Sequence, residues 1–175
     1  MSGVPRIGQG WDRHRLVPGR PLVLGGVAVP SDLGEDGHSD GDALLHAIVD
    51  AVLGACALGD IGTHFPPSDP RWKDAPSRLF LERAVALARE AGWVIGNLDA
   101  TVVLESPRLG PHMAAMRASI AEIAGLSVDR VSVKAKTGER VDATGRREAV
   151  EAQAAVLMVP VPGRPVSLVS PPGMG

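Results

Sequence analysis

The 175-residue chain has no tyrosine, two phenylalanines, three tryptophans and one cysteine, and its formal net charge at pH 7 is only −2. Each shortage removes a class of function. A disulfide framework needs paired cysteines, so the lone Cys56 points to a reducing, cytoplasmic setting. Within LGACALGD it reads as a small buried hydrophobe. Aromatic residues, at 3%, are too few to build a stacking surface for single-stranded nucleic acid. A near-neutral charge gives no pull toward nucleic acid or an anionic membrane. The longest apolar region, 43–58, is interrupted by His46 and Asp50 and is too short to span a bilayer. MSGVPRIGQG at the N-terminus lacks the basic-then-apolar pattern of a signal segment. The expectation is a soluble protein whose partner is neither nucleic acid nor membrane.

What is present suits a globular fold. Hydrophobic residues make up 45% of the chain, enough for a sizeable core in one domain over residues 1–160. The Pro/Gly-rich end, 161–175, is expected to be a disordered tail. Residues 6–16 and 21–29 read as strands, 31–39 as a loop, and about 40–57 as a helix. GDIGTHFPPSDPRWKDAPS carries too much proline and glycine to stay regular. A helix follows in SRLFLERAVALAREAGW, with Gly92 as its stop, then a strand in VIGNLDATVVLES. PHMAAMRASIAEIAGL reads as a helix, and VDRVSVKAKTG and AVEAQAAVLMVP as strands. The fold class is α/β in the broad sense, an α+β sandwich with a mixed sheet packed on one layer of helices.

Two regions concentrate chemistry. In GWDRH, Asp12 and His14 are two apart on a strand, so both leave the same face of the sheet. In GHSDGDALLHAIVDAVLG, the polar residues Asp42, His46 and Asp50 recur every four positions on a helix that is otherwise apolar. A carboxylate and two imidazoles form a three-ligand set that leaves one tetrahedral position free, the pattern of a catalytic zinc. The same residues also accommodate an exposed Asp–His pair and a hydrogen-bonded core histidine. Asp50, one turn beyond His46, stands where a carboxylate could orient the imidazole, or simply reach solvent at the helix edge. Ser39 and Asp42 fit a variant capping box, which leaves His38, Asp40 and Gly41 unexplained. The second region, VKAKTGERVDATGRREAV, supplies phosphate donors in Lys136, Thr137, Gly138, Arg146 and Arg147. Glu139 among them suits a magnesium ion bridging phosphate oxygens, although a solvated mixed-charge loop would read the same. Asp60 in LGDIGTHF sits at a helix C-terminal end, against the dipole.

GQGWDRH, GHSDGDALLHAIVDAVLGACALGDIGTHFPPSDP, IGNLDATVVLESPRLGPHMAAMR, VSVKAKTGE and TGRRE together resemble the 2-C-methyl-D-erythritol 2,4-cyclodiphosphate synthase family of the non-mevalonate isoprenoid pathway. The resemblance runs collinearly from about Arg6 to Pro160. It implies a homotrimer with active sites between subunits, and a reaction that cyclises 4-diphosphocytidyl-2-C-methyl-D-erythritol 2-phosphate and releases CMP. By the same resemblance Asp12, His14 and His46 hold one zinc ion per subunit. Glu139 stands near magnesium or manganese on the diphosphate, and His38 and Thr137 steady the transition state. The implied substrate-binding set is Ser39, Asp60, Ile61, Gly62, Ser106, Pro107, Arg108, Leu109, Ala135, Lys136 and Arg146, with the stretch from Ser106 to Leu109, Ala135 and Lys136 around the cytidine. The chain departs from the family pattern at Lys136, where a threonine is common, at Asp142 and Ala143, at 148–151, and at Arg108, where lysine is frequent. Two histidines and a carboxylate also make the facial triad of non-haem iron oxygenases. A zinc phosphohydrolase and a metabolite-binding trimer without turnover are further readings of the same residues.

Overall fold

The computed structural model describes residues 4–163. In chain order the elements are β1 (Arg6–Pro18), β2 (Leu22–Leu24), β3 (Val27–Val29), β4 (Leu33–Asp36), α1 (Ala43–Ala55), α2 (Ile61–His64), α3 (Arg78–Glu90), β5 (Trp93–Val103), α4 (Met113–Ala124), β6 (Val131–Lys136), α5 (Asp142–Gly145) and β7 (Ala149–Pro160), with short 3-10 turns between some of them. Five strands form one sheet in the order β4-β1-β7-β5-β6. Only the β5–β6 pair is parallel, so the sheet is mixed as expected. The helices pack on one face of it. Along β7, Val150, Ala152, Ala154, Val156 and Met158 are buried, while the alternate residues Glu151, Gln153, Ala155 and Leu157 face the other way. The same alternation leaves Ile7 and Trp11 of β1 exposed on the bare face.

Helix α1 is the centre of the core. Ten of its residues are buried, and only His46, Asp50 and Gly54 keep some exposure, one per turn along a single edge. It lies on β1 at very short range. A β-carbon on Gly8 would stand 1.8 Å from the Ala51 carbonyl oxygen, and one on Gly10 would stand 2.0 Å from that of Ala47. Any side chain at either position would push the helix off the strand.

Several local expectations need correction. Residues 21–29 are not one strand but the hairpin β2–β3, turned by Gly25 and Gly26 at φ 61° and 75°. The expected loop at 31–39 contains β4, antiparallel to β1 from Arg15↔Asp36 to Pro18↔Leu33. Gly34 belongs in that strand because a β-carbon there would meet the Arg20 and Pro21 carbonyl oxygens at 2.2 Å. Asp42 is not part of the polar edge of α1. It is the N-cap, fully buried, and accepts from the Leu45 amide (2.9 Å) and from the Gly25 and Gly26 amides (2.9 and 2.6 Å). That carboxylate ties the β2–β3 turn to the start of α1. Asp60, read as a C-terminal acid, is the N-cap of α2, accepting from the Thr63 amide at 2.8 Å.

Cys56 is buried as expected, and burial pushes its thiol up to about 11. The Val161 amide donates to the Gly92 carbonyl (2.9 Å), and the rest of the expected tail, from 164, lies outside the described residues. Among the described residues no helix is long and apolar enough to cross a membrane. Gly10→Ala should lower the unfolding free energy by about 1–3 kcal/mol or more through overpacking. Urea unfolding checks this: the midpoint should fall with an unchanged slope, and an unmoved midpoint would contradict the tight seat of α1.

Candidate metal centre and its surroundings

The inward face of β1 changes character along its length. Gly8 and Gly10 seat the helix, and the next two residues of the same face are Asp12 and His14. The helix they seat brings His46 down beside them. Asp12 Oδ2 lies 3.0 Å from His14 Nε2 and 3.0 Å from His46 Nδ1, and the three ligand atoms fall within 4.8 Å of one another. Tetrahedral bonds of about 2.0–2.1 Å to zinc place ligand atoms about 3.3 Å apart, so this donor set fits a small divalent cation with little adjustment. Burial resists ionisation of Asp12, yet hydrogen bonds and charge from His14 and His46 outweigh it and hold the carboxyl well below its usual range. Burial also opposes charge on His14, but Asp12 and Glu35 override it and raise the imidazole to about 10.

Both rings are oriented from behind. His14 turns Nδ1 toward Glu35 Oε2 (3.0 Å) and the Gly41 carbonyl (2.5 Å), which leaves Nε2 for the cation. His46 turns Nε2 toward the hydroxyls of Ser77 (2.8 Å) and Ser39 (3.2 Å), which leaves Nδ1 for the cation. The Ser77 hydroxyl in turn donates to Asp40, and the Ser77 amide donates to the same carboxylate at 3.1 Å. Asp50 does not orient His46. It accepts from the Ile61 amide (2.7 Å) and so fixes the start of α2 instead. Three of the chain's five aromatic residues gather here: Phe80 stacks near His46 (5.8 Å between ring centroids), with Phe65 and Trp72 against Phe80.

Sequence reasoning missed Glu35, Ser77 and Phe80. Ser77 carries a signal that misleads, because a serine ahead of a helix reads as a cap, yet its hydroxyl makes no capping bond to α3. Phe80 carries only the apolar spacing of a helix. Glu35 sits in a stretch rich in turn-forming residues.

The remaining expected residues divide between two pockets. His38, Ser39, Ile61 and Gly62 join the metal triad around a pocket of about 230 Å³, whose apolar side is Phe65, Pro67, Trp72 and Phe80. Pro107, Arg108, Leu109, Ala135, Lys136, Thr137 and Glu139 line a separate pocket of about 460 Å³ at the ends of β5 and β6. Glu139 and the following Arg140 hold positive φ (52° and 59°), a costly conformation for residues with side chains. The Thr137 hydroxyl donates to the Glu139 carboxylate at 2.6 Å. Ser106 directly precedes the second pocket, and Asp60 precedes Ile61 at the edge of the first. Arg146 lines neither of these two pockets and pairs with Glu148 (3.0 Å), while Arg147 pairs with Asp32.

A sheet strand and a central helix that jointly present one carboxylate and two imidazoles define an α/β protein with a donor set that fits a divalent cation. The chain belongs to the YgbB family, whose model matches residues 5–159. It is 60% identical over 153 residues to the 2-C-methyl-D-erythritol 2,4-cyclodiphosphate synthase of Laribacter hongkongensis (strain HLHK9), covering 87% of this chain and 94% of that one. A solved 2C-methyl-D-erythritol-2,4-cyclodiphosphate synthase in a CDP-bound form superposes with a TM-score of 0.82 at 43% identity, over 87% of this chain and 99% of that one. The bifunctional IspDF from Campylobacter jejuni superposes at a TM-score of 0.87 and 38% identity, over 90% of this chain but only 42% of that longer chain.

His46→Ala should abolish high-affinity zinc binding while the far-ultraviolet circular dichroism stays native. Full zinc stoichiometry in that variant, by elemental analysis, would remove the metal assignment. Because burial of His14 is outweighed by Asp12 and Glu35, which raise its imidazole to about 10, cation uptake at neutral pH must displace its Nε2 proton. Apparent zinc affinity should therefore rise with pH between about pH 6 and 8, read by chelator competition.

Proposed function

We propose that this chain converts 4-diphosphocytidyl-2-C-methyl-D-erythritol 2-phosphate into 2-C-methyl-D-erythritol 2,4-cyclodiphosphate and CMP, as a phosphorus–oxygen lyase acting in isoprenoid precursor synthesis. The observation that carries this reading is the Asp12–His14–His46 triad in a pocket edged by His38 and Ser39, in a chain so similar to relatives named for that product. The substrate's 2-phosphate oxygen attacks the β-phosphorus. A new P–O bond closes the ring as the bond from β-phosphorus to the bridging oxygen breaks, and that oxygen leaves with CMP. No protein nucleophile is required.

The protein positions and stabilises. Asp12, His14 and His46 would hold zinc and Glu139 would hold magnesium or manganese, the two cations polarising phosphoryl oxygens as Lewis acids. His38 and Ser39 donate to phosphate oxygens at the mouth of the first pocket. Asp60, with the Ile61 and Gly62 backbone, receives the erythritol hydroxyls. The aromatic wall of Phe65, Trp72 and Phe80 limits water beside the reacting phosphates. Thr137 and Lys136 meet the diphosphate. Ser106, Pro107, Arg108, Leu109 and Ala135 enclose the cytidine, and Arg146 is left as a candidate contact from outside that pocket.

The sheet register supports a site shared between copies of the chain. Asp12 pairs with Ala152, Ala152 with Val102, and Val102 with Ala135. The triad and the nucleotide pocket therefore lie three strand spacings apart, about 14 Å, within one chain. That is too far for one diphosphate to touch both. A homotrimer that sets the second pocket of one protomer against the triad of its neighbour closes the gap, and the bare sheet face with Ile7 and Trp11 supplies apolar surface for assembly. Residues 1–160 would form that domain, working in the cytoplasm on a small-molecule substrate.

Phosphorus NMR of the protein with substrate, zinc and magnesium tests the reaction. CMP should appear together with two mutually coupled cyclic-diphosphate resonances. Inorganic phosphate, a linear product or unchanged substrate with zinc bound would overturn it. Glu139→Gln should lower turnover about a hundredfold or more while zinc stoichiometry stays native. Sedimentation equilibrium should return three chains per particle.

A further inference from the structure

Behind the triad lies a carboxylate for which the proposed reaction has no use. Glu35, on β4, has no solvent exposure. Its Oε2 accepts from the Ala43 amide at 3.0 Å and lies 3.0 Å from His14 Nδ1. Its Oε1 has no hydrogen-bond partner among the described residues. A buried carboxyl with one oxygen unpaired is unfavourable, so its place behind the triad calls for a reason. The start of α1 does not supply it, because Asp42 already caps the helix and a neutral acceptor would serve Ala43 equally well. The Gly41 carbonyl also faces His14 Nδ1, at 2.5 Å, so Glu35 completes the hold on that side of the ring. What Glu35 adds is a carboxyl in direct contact with Nδ1, on the side of the imidazole away from the cation site.

We propose that Glu35 is a positioning residue of the metal centre: it takes the Nδ1–H of His14, fixes the Nε2 lone pair on the cation, and makes that ligand a stronger donor. The inference rests on the cation-site reading of Asp12, His14 and His46. Two groups then hold the far side of one imidazole, the Gly41 carbonyl and the Glu35 carboxyl. Carboxylates placed in this way strengthen metal binding about 10- to 100-fold.

The test is zinc affinity, by competition with a chromophoric chelator, for the native protein, Glu35→Gln and Glu35→Leu. Glu35→Gln keeps the size and an acceptor for Ala43, whereas Glu35→Leu removes the acceptor as well. Both variants should bind zinc about 10- to 100-fold more weakly. Melting of the metal-free proteins, measured alongside, separates this role from a purely structural one. If both variants bind zinc within twofold of native, or if only Glu35→Leu weakens it in step with a lower metal-free melting temperature, Glu35 is a helix-start acceptor and the proposal fails. If the native protein itself binds no zinc, the cation-site reading fails, and the proposal falls with it for a distinguishable reason.

Discussion

Helix α1 touches the backbone of β1 because Gly8 and Gly10 have no side chains, and the rest of the structure follows from that contact. With ordinary residues there, helix and sheet would stand about 10 Å apart, and His46 would not reach two groups on the strand. The close approach brings backbone to backbone and lets one helix turn deliver an imidazole beside Asp12 and His14. It also spends the core's volume on small residues, with Ala47, Ala51 and Ala55 on the helix meeting the glycines of the strand. The larger side chains, Leu44, Leu45, Ile48 and Leu53, fill the space around α1.

A second constraint is the polar scaffold around the loop between β4 and α1. Arg20 donates to the carbonyl oxygens of Glu35, Gly37 and Ser39 (3.0–3.3 Å), and so holds the loop's backbone from one side. Asp40 holds it from another through Ser77, and Asp42 anchors its end to the Gly25–Gly26 turn. His38 and Ser39 are thus carried on a segment fixed at several points, which would suit the proposed contact with a phosphate by sparing reorganisation. The polar residues of the HSDGD run divide this labour. Some face the pocket, and others build the frame that aims them.

Much of this was legible in the sequence, and the failures have identifiable causes. The metal triad could be read because strand alternation and helical spacing are local rules, and the Asp-x-His pair and the lone helical imidazole obey them. Asp50 obeyed the same spacing, yet it bonds to the Ile61 amide, because the chain after α1 folds back beside it. Periodicity gives the edge of a helix and not what lies against that edge. Strand β4 was hidden because its glycine answers a close approach to Arg20 and Pro21, a tertiary cause that propensity cannot register. The β2–β3 turn was visible as a Gly-Gly pair between apolar runs and was absorbed into one strand by the apolar residues on either side. Glu35 lies 21 residues from His14, and no pattern in the chain joins them.

Residues 8, 10, 12 and 14 share one face of one strand, two forming the helix seat and two belonging to the triad. The strand's pairing with β7 is therefore read out chemically. A slip of two residues keeps the inward face inward but carries Asp12 into the helix contact, or a glycine into the place of a donor, and the triad then cannot assemble. If the triad holds a cation as proposed, metal occupancy in a preparation of this protein would gauge correct strand registration, and molecules without a cation would include those that paired wrongly as well as those that were never supplied.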